Sequence, residues 1–243
     1  MENHGISGTV KWTLDDEGTL YFVPVDGKEG TFADTKGFQR EWETYKTSIK
    51  QIKSHGKINL AKNSSYMFIG CSSLTDIDVL KNWNTENVRD MSGMFAYCSL
   101  TNIDALKNWN TKNVRDMSGI LLGCDILNNI DGFKDWNTSQ VIEMVSMFWN
   151  CSSLTNINGL KNWDTSNVTK MGGMFYNCSS LTNIDDLKNW DTQKVTKMGG
   201  MFYNCSSLTN IDVLKNWNIQ NVIYMHNMFA GCSSLTSTNI LKN

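Results

Sequence analysis

Residues 171–197 read MGGMFYNCSSLTNIDDLKNWDTQKVTK, and the same pattern returns from about residue 64 to the C-terminus. Self-similarity at a fixed period of this size marks a repeat array. The cysteines set the ruler: Cys71, Cys98, Cys124, Cys151, Cys178, Cys205 and Cys232 stand 27, 26, 27, 27, 27 and 27 residues apart. One period is short because Ser99 alone precedes Leu100. Trp83, Trp109, Trp136, Trp163, Trp190 and Trp217 keep the same beat.

Within one copy, Leu181, Ile184, Leu187 and Trp190 recur at every third residue, and Val195, Met198, Met201, Phe202 and Cys205 follow. The last four lie at i, i+3, i+4 and i+7, which predicts a short helix or 3₁₀ segment with one apolar face. Leu181 to Ile184, beside Ser179 and Ser180, has the Leu-x-x-Ile spacing that starts a leucine-rich repeat and reads as a short strand. Asp191-Thr192 reads as a corner, because both side chains form local turns with the backbone. No copy can bury its apolar side alone, so the copies must stack. The expected fold is α/β, a leucine-rich-repeat solenoid of about seven coils of 26–27 residues with one short parallel strand per coil. At ~4.8 Å per strand the sheet would be roughly 30 Å long.

The string from Val168 through Thr192, VTKMGGMFYNCSSLTNIDDLKNWDT, resembles the bacterial surface-protein repeat found in BspA-type leucine-rich-repeat proteins and mycoplasma surface lipoproteins. The likeness covers about three quarters of the chain, with Met-Phe-x-x-Cys-Ser-Ser-Leu-Thr as its signature. Copy three departs from it, with Ile120-Leu121 for Met-Phe and Asp125-Ile126-Leu127-Asn128 for Ser-Ser-Leu-Thr, mostly keeping apolar bulk. The resemblance implies a cell-surface or secreted location, as part of a longer exported protein, and a role in adhesion or host interaction.

Residues 1–62 read as an N-terminal capping region and 63–243 as the solenoid. Val10–Leu14 alternates like a half-buried strand, Asp15–Gly18 supplies turn residues, and Thr19–Val23 reads as the returning strand of a hairpin. An open solenoid end needs such a cap, and Trp12, Tyr21, Phe22 and Trp42 suit it. Phe38, Trp42, Tyr45, Ile49 and Ile52 are spaced for a helix, while Ile49-x-x-Ile52 followed by Gly56–Leu60 equally fits a degenerate first coil. At the other end Thr238 replaces the inward isoleucine, which reads as a polar cap or as a chain that continues.

Composition limits the functions open to the chain. A net charge of −2, no basic stripe with interleaved aromatics and no zinc-finger spacing argue against nucleic acid. Apolar runs such as Ile120-Leu121-Leu122 fall far short of the ~20 residues that span a bilayer, so no membrane insertion is expected. The start, MENHGISGTVKW, shows no secretory signal, which keeps a cytoplasmic scaffold open as the alternative location. The three histidines, His4, His55 and His226, are scattered and none recurs. No catalytic constellation and no cofactor motif are present, and an enzyme is not expected.

Four columns remain to be placed. The cysteines, one per coil in a line, suit core packing better than disulfides or a converging metal site. The tryptophans are either buried at the corner or exposed as an aromatic stripe able to stack on sugars or a partner protein. Asp78, Asp104, Asp131, Asp185 and Asp212, with Asn158 in the same register, run beside Lys81, Lys107, Lys134, Lys161, Lys188 and Lys215. Like charges ~5 Å apart repel by roughly 0.8 kcal/mol in water, which facing stripes would offset. Stacked carboxylates would also suit Ca²⁺, although no EF-hand spacing exists and no metal is expected. The candidate partner-binding residues are Asn102, Asp104, Asn156, Asn158, Asn183, Asp185, Asn210 and Asp212, expected to point outward from the strands. The leading reading is a non-enzymatic protein-binding module whose partner is a host surface or matrix protein; the others are a stalk or spacer and an intracellular interaction scaffold.

Overall fold

The computed structural model describes residues 3–35, 37 and 40–236. The alternation in Val10-Lys11-Trp12-Thr13-Leu14 places Val10, Trp12 and Leu14 inside and the other two outside. This strand, β2 (Val10–Leu14), pairs antiparallel with β1 (His4–Ser7) and β3 (Thr19–Pro24), with Trp12 opposite Phe22. Between β2 and β3, Asp15 Oδ1 accepts the Thr19 and Glu17 amides and fixes the turn. Two further strands, β4 (Glu29–Thr31) and β5 (Gln51–Ser54), precede β6 (Lys57–Asn59); β5 joins β3 in parallel and β6 joins β4 in parallel.

Of the two sequence readings for residues 38–60, the degenerate coil describes what forms. Glu43–Ser48 is a 3₁₀ turn, Ile49, Ile52 and Ile58 are buried, and the chain then stacks on the first full coil. Gln51 bridges to Asp76 and Asn59 to Asn84, and Asn84 Nδ2 donates to Asn59 Oδ1 at 2.8 Å. Phe38 and Thr238, used in the sequence reading, lie outside the described residues.

Each coil is built from turns. The helix expected over Met198–Cys205 does not form, and the equivalent Met171–Cys178 segment shows why. Alternate amides close turns within the coil, Tyr176 to the Gly173 carbonyl and Cys178 to the Phe175 carbonyl, both at 3.1 Å. The amides between them leave the coil: Met171, Gly173, Phe175 and Asn177 donate to Lys197, Gly199, Met201 and Tyr203 at 2.7–2.9 Å. A helix would turn the Phe175 and Asn177 amides onto carbonyls of their own coil and remove those links between coils. Left-handed residues four apart switch the direction, Gly173 (φ 62°) and Asn177 (φ 58°) here, Gly200 and Asn204 in the next coil.

The short strand expected at Leu181–Ile184 is also replaced. Ile184 (φ −131°, ψ 28°) is not extended, and a 3₁₀ turn begins at once, Asp185–Leu187. Equivalent turns are Asp78–Asn82, Asp104–Leu106, Asp131–Phe133, Asn158–Leu160 and Asp212–Asn216. Parallel pairing in the array is therefore reduced to single rungs, running Asn63–Asp90–Asp116–Glu143–Lys170–Lys197–Tyr224 on one edge, with Asn129–Asn156 on another.

Columns of like side chains fill the interior in one continuous core from Val10 to Cys232. Phe148, Phe175, Phe202 and Phe229 stack with centroids 5.4, 5.5 and 5.7 Å apart. Copy three breaks this column with Leu121, and Phe133, standing where other coils have leucine, turns to Phe148 (6.3 Å) and Trp163 (6.0 Å). The tryptophan column is buried. Trp190 and Trp217 lie parallel at 6.3 Å, and their Nε1 atoms donate to the Leu160 and Leu187 carbonyls of the preceding coils at 3.2 Å. The corner threonines are buried too, and Thr165 Oγ1 donates to the Asp191 carbonyl of the next coil at 2.9 Å.

Candidate binding faces

The repeat sets two polar faces outside the core columns. On the first, the asparagine before each 3₁₀ turn uses its side-chain oxygen to accept the amide two residues on. Asp104 donates to Asn102 (3.3 Å), Asn158 to Asn156 (2.8 Å), Asp185 to Asn183 (3.0 Å) and Asp212 to Asn210 (2.6 Å). These eight residues thus lie at the start of turns, where the sequence reading had placed them on strands. All are exposed except the half-buried Asn156. Their Oδ1 atoms are committed to the backbone in Asx turns, so the asparagines offer mainly their amide nitrogens.

The Asp and Lys columns flank shallow grooves. One of about 590 Å³ is lined by Asp104, Lys107, Asp131, Lys134, Asn158 and Lys161, and one of about 430 Å³ by Asp185, Lys188, Asp212 and Lys215 among others. Among the described residues no ion pair within 4 Å joins the two columns. The pairs that do form, Glu86–Lys112 at 3.0 Å and Glu143–Lys170 at 2.5 Å in the array, lie elsewhere on the coils. The two columns are exposed and unpaired with each other, with Asp212 Oδ2 accepting from Asn210 Nδ2 of its own coil at 3.3 Å.

The second face escaped the sequence reading. Trp149, Tyr176 and Tyr203 form a half-buried column of parallel rings, 3.8 and 4.4 Å apart. Beside it runs a groove of about 540 Å³ lined by Asp125, Asn150, Ser152, Asn177, Ser179, Asn204 and Ser206. The signal was present: this slot reads Gly70, Tyr97, Gly123, Asn150, Asn177, Asn204 and Gly231, and the Gly or Asn in all but one of the seven betrays a left-handed backbone position. Further toward the cap, Tyr66, Ile69, Gly93, Ala96, Tyr97 and Leu122 surround an apolar depression of about 320 Å³.

The cysteines are free, buried thiols, each from Cys98 onward hydrogen-bonded to the preceding coil, as Cys178 Sγ is to the Phe148 carbonyl at 3.1 Å. Burial pushes the Cys71 and Cys124 thiols up to about 12 and the others upward as well, so none is a ready nucleophile. His226 is exposed and its ring covers Gly199. Among the described residues no group of three or more His, Cys, Asp or Glu is placed to hold a metal ion, and no helix is long and apolar enough to cross a membrane.

No curated protein matches the sequence. Three solved structures are similar: a leucine-rich cell surface protein from Faecalibacterium prausnitzii (19% identity, TM-score 0.46, covering 86% of this chain and 54% of that one), and leucine-rich repeat proteins from Eubacterium ventriosum (13%, TM-score 0.24, covering 95% and 94%) and Bacteroides ovatus (14%, TM-score 0.28, covering 95% and 81%). The chain thus spans about half the length of the first of these. The family described as Mycoplasma protein of unknown function, DUF285, matches residues 62–159 and again 124–242. Those two matches span the whole array of stacked coils, and the chain belongs to the DUF285 family.

Proposed function

We propose that the chain is a non-enzymatic, surface-displayed binding module that engages a host surface or matrix protein through the columns Asn102, Asp104, Asn156, Asn158, Asn183, Asp185, Asn210 and Asp212. The observation that carries this reading is the state of the Asp and Lys columns: exposed, recurring coil after coil with Asn158 as the one change of charge, and unpaired with each other. A rigid grid of unpaired charges suits many weak polar contacts that sum along a protein surface, with avidity when several copies are displayed. The resemblance of the repeat to bacterial surface-protein repeats supports display outside the cell.

Two measurements test it. Protease shaving of intact producing cells should release peptides from residues 172–197 while cytosolic controls stay whole; release only after lysis would end the surface reading in favour of an intracellular scaffold. Beads carrying the chain should be retained on immobilised host matrix proteins, and the variant D104N/D185N/D212N, which keeps the Asx turns, should lose that retention with its thermal unfolding unchanged. A second reading, a stalk, is favoured by the unbroken hydrogen bonding from coil to coil, which makes the array stiff. It becomes the better account if the triple variant is retained as well as the parent.

A further inference from the structure

We propose that the groove beside the Trp149–Tyr176–Tyr203 column binds a neutral, β-linked linear glycan lying along the solenoid axis. This site shares no residue with the protein-binding columns.

The chemistry of the lining points to hydroxyl groups as the ligand. Only Asp125, at one end, carries a charge. The serine protons are already committed: Ser152 Oγ donates to the Asp125 carbonyl at 3.3 Å, Ser179 to Ser152 and Ser206 to Ser179 at 3.4 Å. Their oxygens remain as acceptors. Asn177 Nδ2 donates to Asn150 Oδ1 at 2.7 Å, which leaves Asn177 Oδ1 buried and without a partner. A buried acceptor left unpaired costs ~1–3 kcal/mol, which a small turn of the Asn177 amide toward a hydroxyl in the groove would recover. The Asn150 and Asn204 amide nitrogens supply donors on either side. Sugar hydroxyls, each donor and acceptor at once, match such an alternation. With no cation in the groove, phosphodiesters and acidic polysaccharides have nothing to pair with.

The period separates a glycan from a peptide. Asn and Ser recur once per coil, at the ~4.8 Å spacing of parallel bridges, whereas side chains on one face of an extended peptide recur every ~6.6 Å and match neither one coil nor two. A flat β-linked pyranose chain advances by close to one coil per sugar and turns each sugar over relative to the last, so equivalent hydroxyls return at every second coil and meet equivalent side chains there. The rings cover each other's faces. None of the three rings lines the groove, so the amides and hydroxyls do the recognising.

The test is calorimetric titration of the full chain with cellohexaose, N-acetylchitohexaose and, as an α-linked control, maltohexaose. At least one β-linked hexamer should bind at least ~tenfold more tightly than maltohexaose, and N150G/N177G/N204G should weaken it at least ~tenfold. Glycine holds this left-handed slot at Gly70, Gly123 and Gly231, so the backbone tolerates the change. Should that variant unfold, S152A/S179A/S206A removes the acceptors without touching the left-handed positions and should give the same loss. D104N/D185N/D212N should leave glycan binding intact, which separates this site from the protein-binding face. Failure of both β-linked hexamers to bind, equal binding of maltohexaose, or undiminished binding by a folded groove variant would overturn the proposal, as would loss of matrix-protein retention in the groove variant with the hexamers inert.

Discussion

Cys178 donates its thiol proton to the carbonyl of Phe148, thirty residues earlier, at 3.1 Å, and Cys205 does the same to Phe175. From Cys98 onward the cysteine column is thus a ladder of neutral thiols, each joining two coils, and ionising any rung would place an anion against a carbonyl oxygen in the core. Alkaline pH should therefore weaken the fold. Thiols exposed on unfolding ionise near their ordinary value of ~8.5, whereas the folded ones titrate far higher, Cys71 and Cys124 at about 12. The folded state then holds more protons than the unfolded one, so stability is full below ~8.5 and falls as pH rises, by up to ~1.4 kcal/mol per unit for each buried thiol. Urea midpoints measured from pH 7.5 to 10 should fall steeply, and a C151A/C178A variant should fall less steeply. A flat profile would mean the thiols are not held as the hydrogen bonds require.

The Thr165 hydroxyl gives a second, independent rung, to the Asp191 carbonyl. Valine fills the same space without the donor, so T165V should cost ~1–2 kcal/mol through the carbonyl left unpaired in a buried corner. Equilibrium unfolding in urea reads it directly, and a change within ±0.3 kcal/mol would show the hydroxyl to be dispensable.

Much of this could be read before the coordinates, and what could not has a physical cause. The spacing of Leu181, Ile184, Leu187 and Trp190 revealed a stacked core because burial alone sets that spacing, and all four are buried. The helix assigned to Met198–Cys205 failed because apolar residues at i, i+3, i+4 and i+7 also face inward in a run of turns. Gly200 and Asn204 decide between the two, since two left-handed residues four apart cannot sit in a helix. The candidate residues Asn183 and Asp185 were correctly exposed but assigned to a strand, because an Asn-x-Asp Asx turn resembles polar alternation. The Trp149–Tyr176–Tyr203 column was missed because its slot is aromatic in only three coils and holds Ile69, Ala96, Leu122 and Ala230 in the others, so the stacking of the rings shows only in the fold.

Gly159 presses against the preceding coil, and a Cβ there would run into the Ile130 carbonyl. Backbone cannot yield as a side chain can, so G159A should destabilise by ~1–3 kcal/mol. The same slot one coil later holds Asp186, where D186A should stay within ~0.5 kcal/mol. Thermal unfolding of the pair makes the comparison internal to one protein; equal effects would show that the coils can spread at Gly159 without loss.

Because each coil bonds to its neighbours, a whole coil should be removable. Deleting residues 172–198 joins Met171 to Gly199 and restores the reading Met-Gly-Gly-Met-Phe-Tyr-Asn-Cys without a mismatch. Every column keeps its register, including the Lys170 edge, which would bridge next to Tyr224 in place of Lys197. The shortened chain should fold cooperatively, losing the interface contribution of one coil, with Tm lowered by roughly 2–4 °C for each 1 kcal/mol lost. Deleting only residues 172–184 sets Trp190 in the Asn177 slot and Asp191 in the Cys178 slot and breaks the ladder of thiols and carbonyls, so that variant should not fold. Calorimetry on the two deletions separates an array held by neighbour contacts from a globule that merely contains repeats: in the second case the whole-coil deletion would be as damaging as the half.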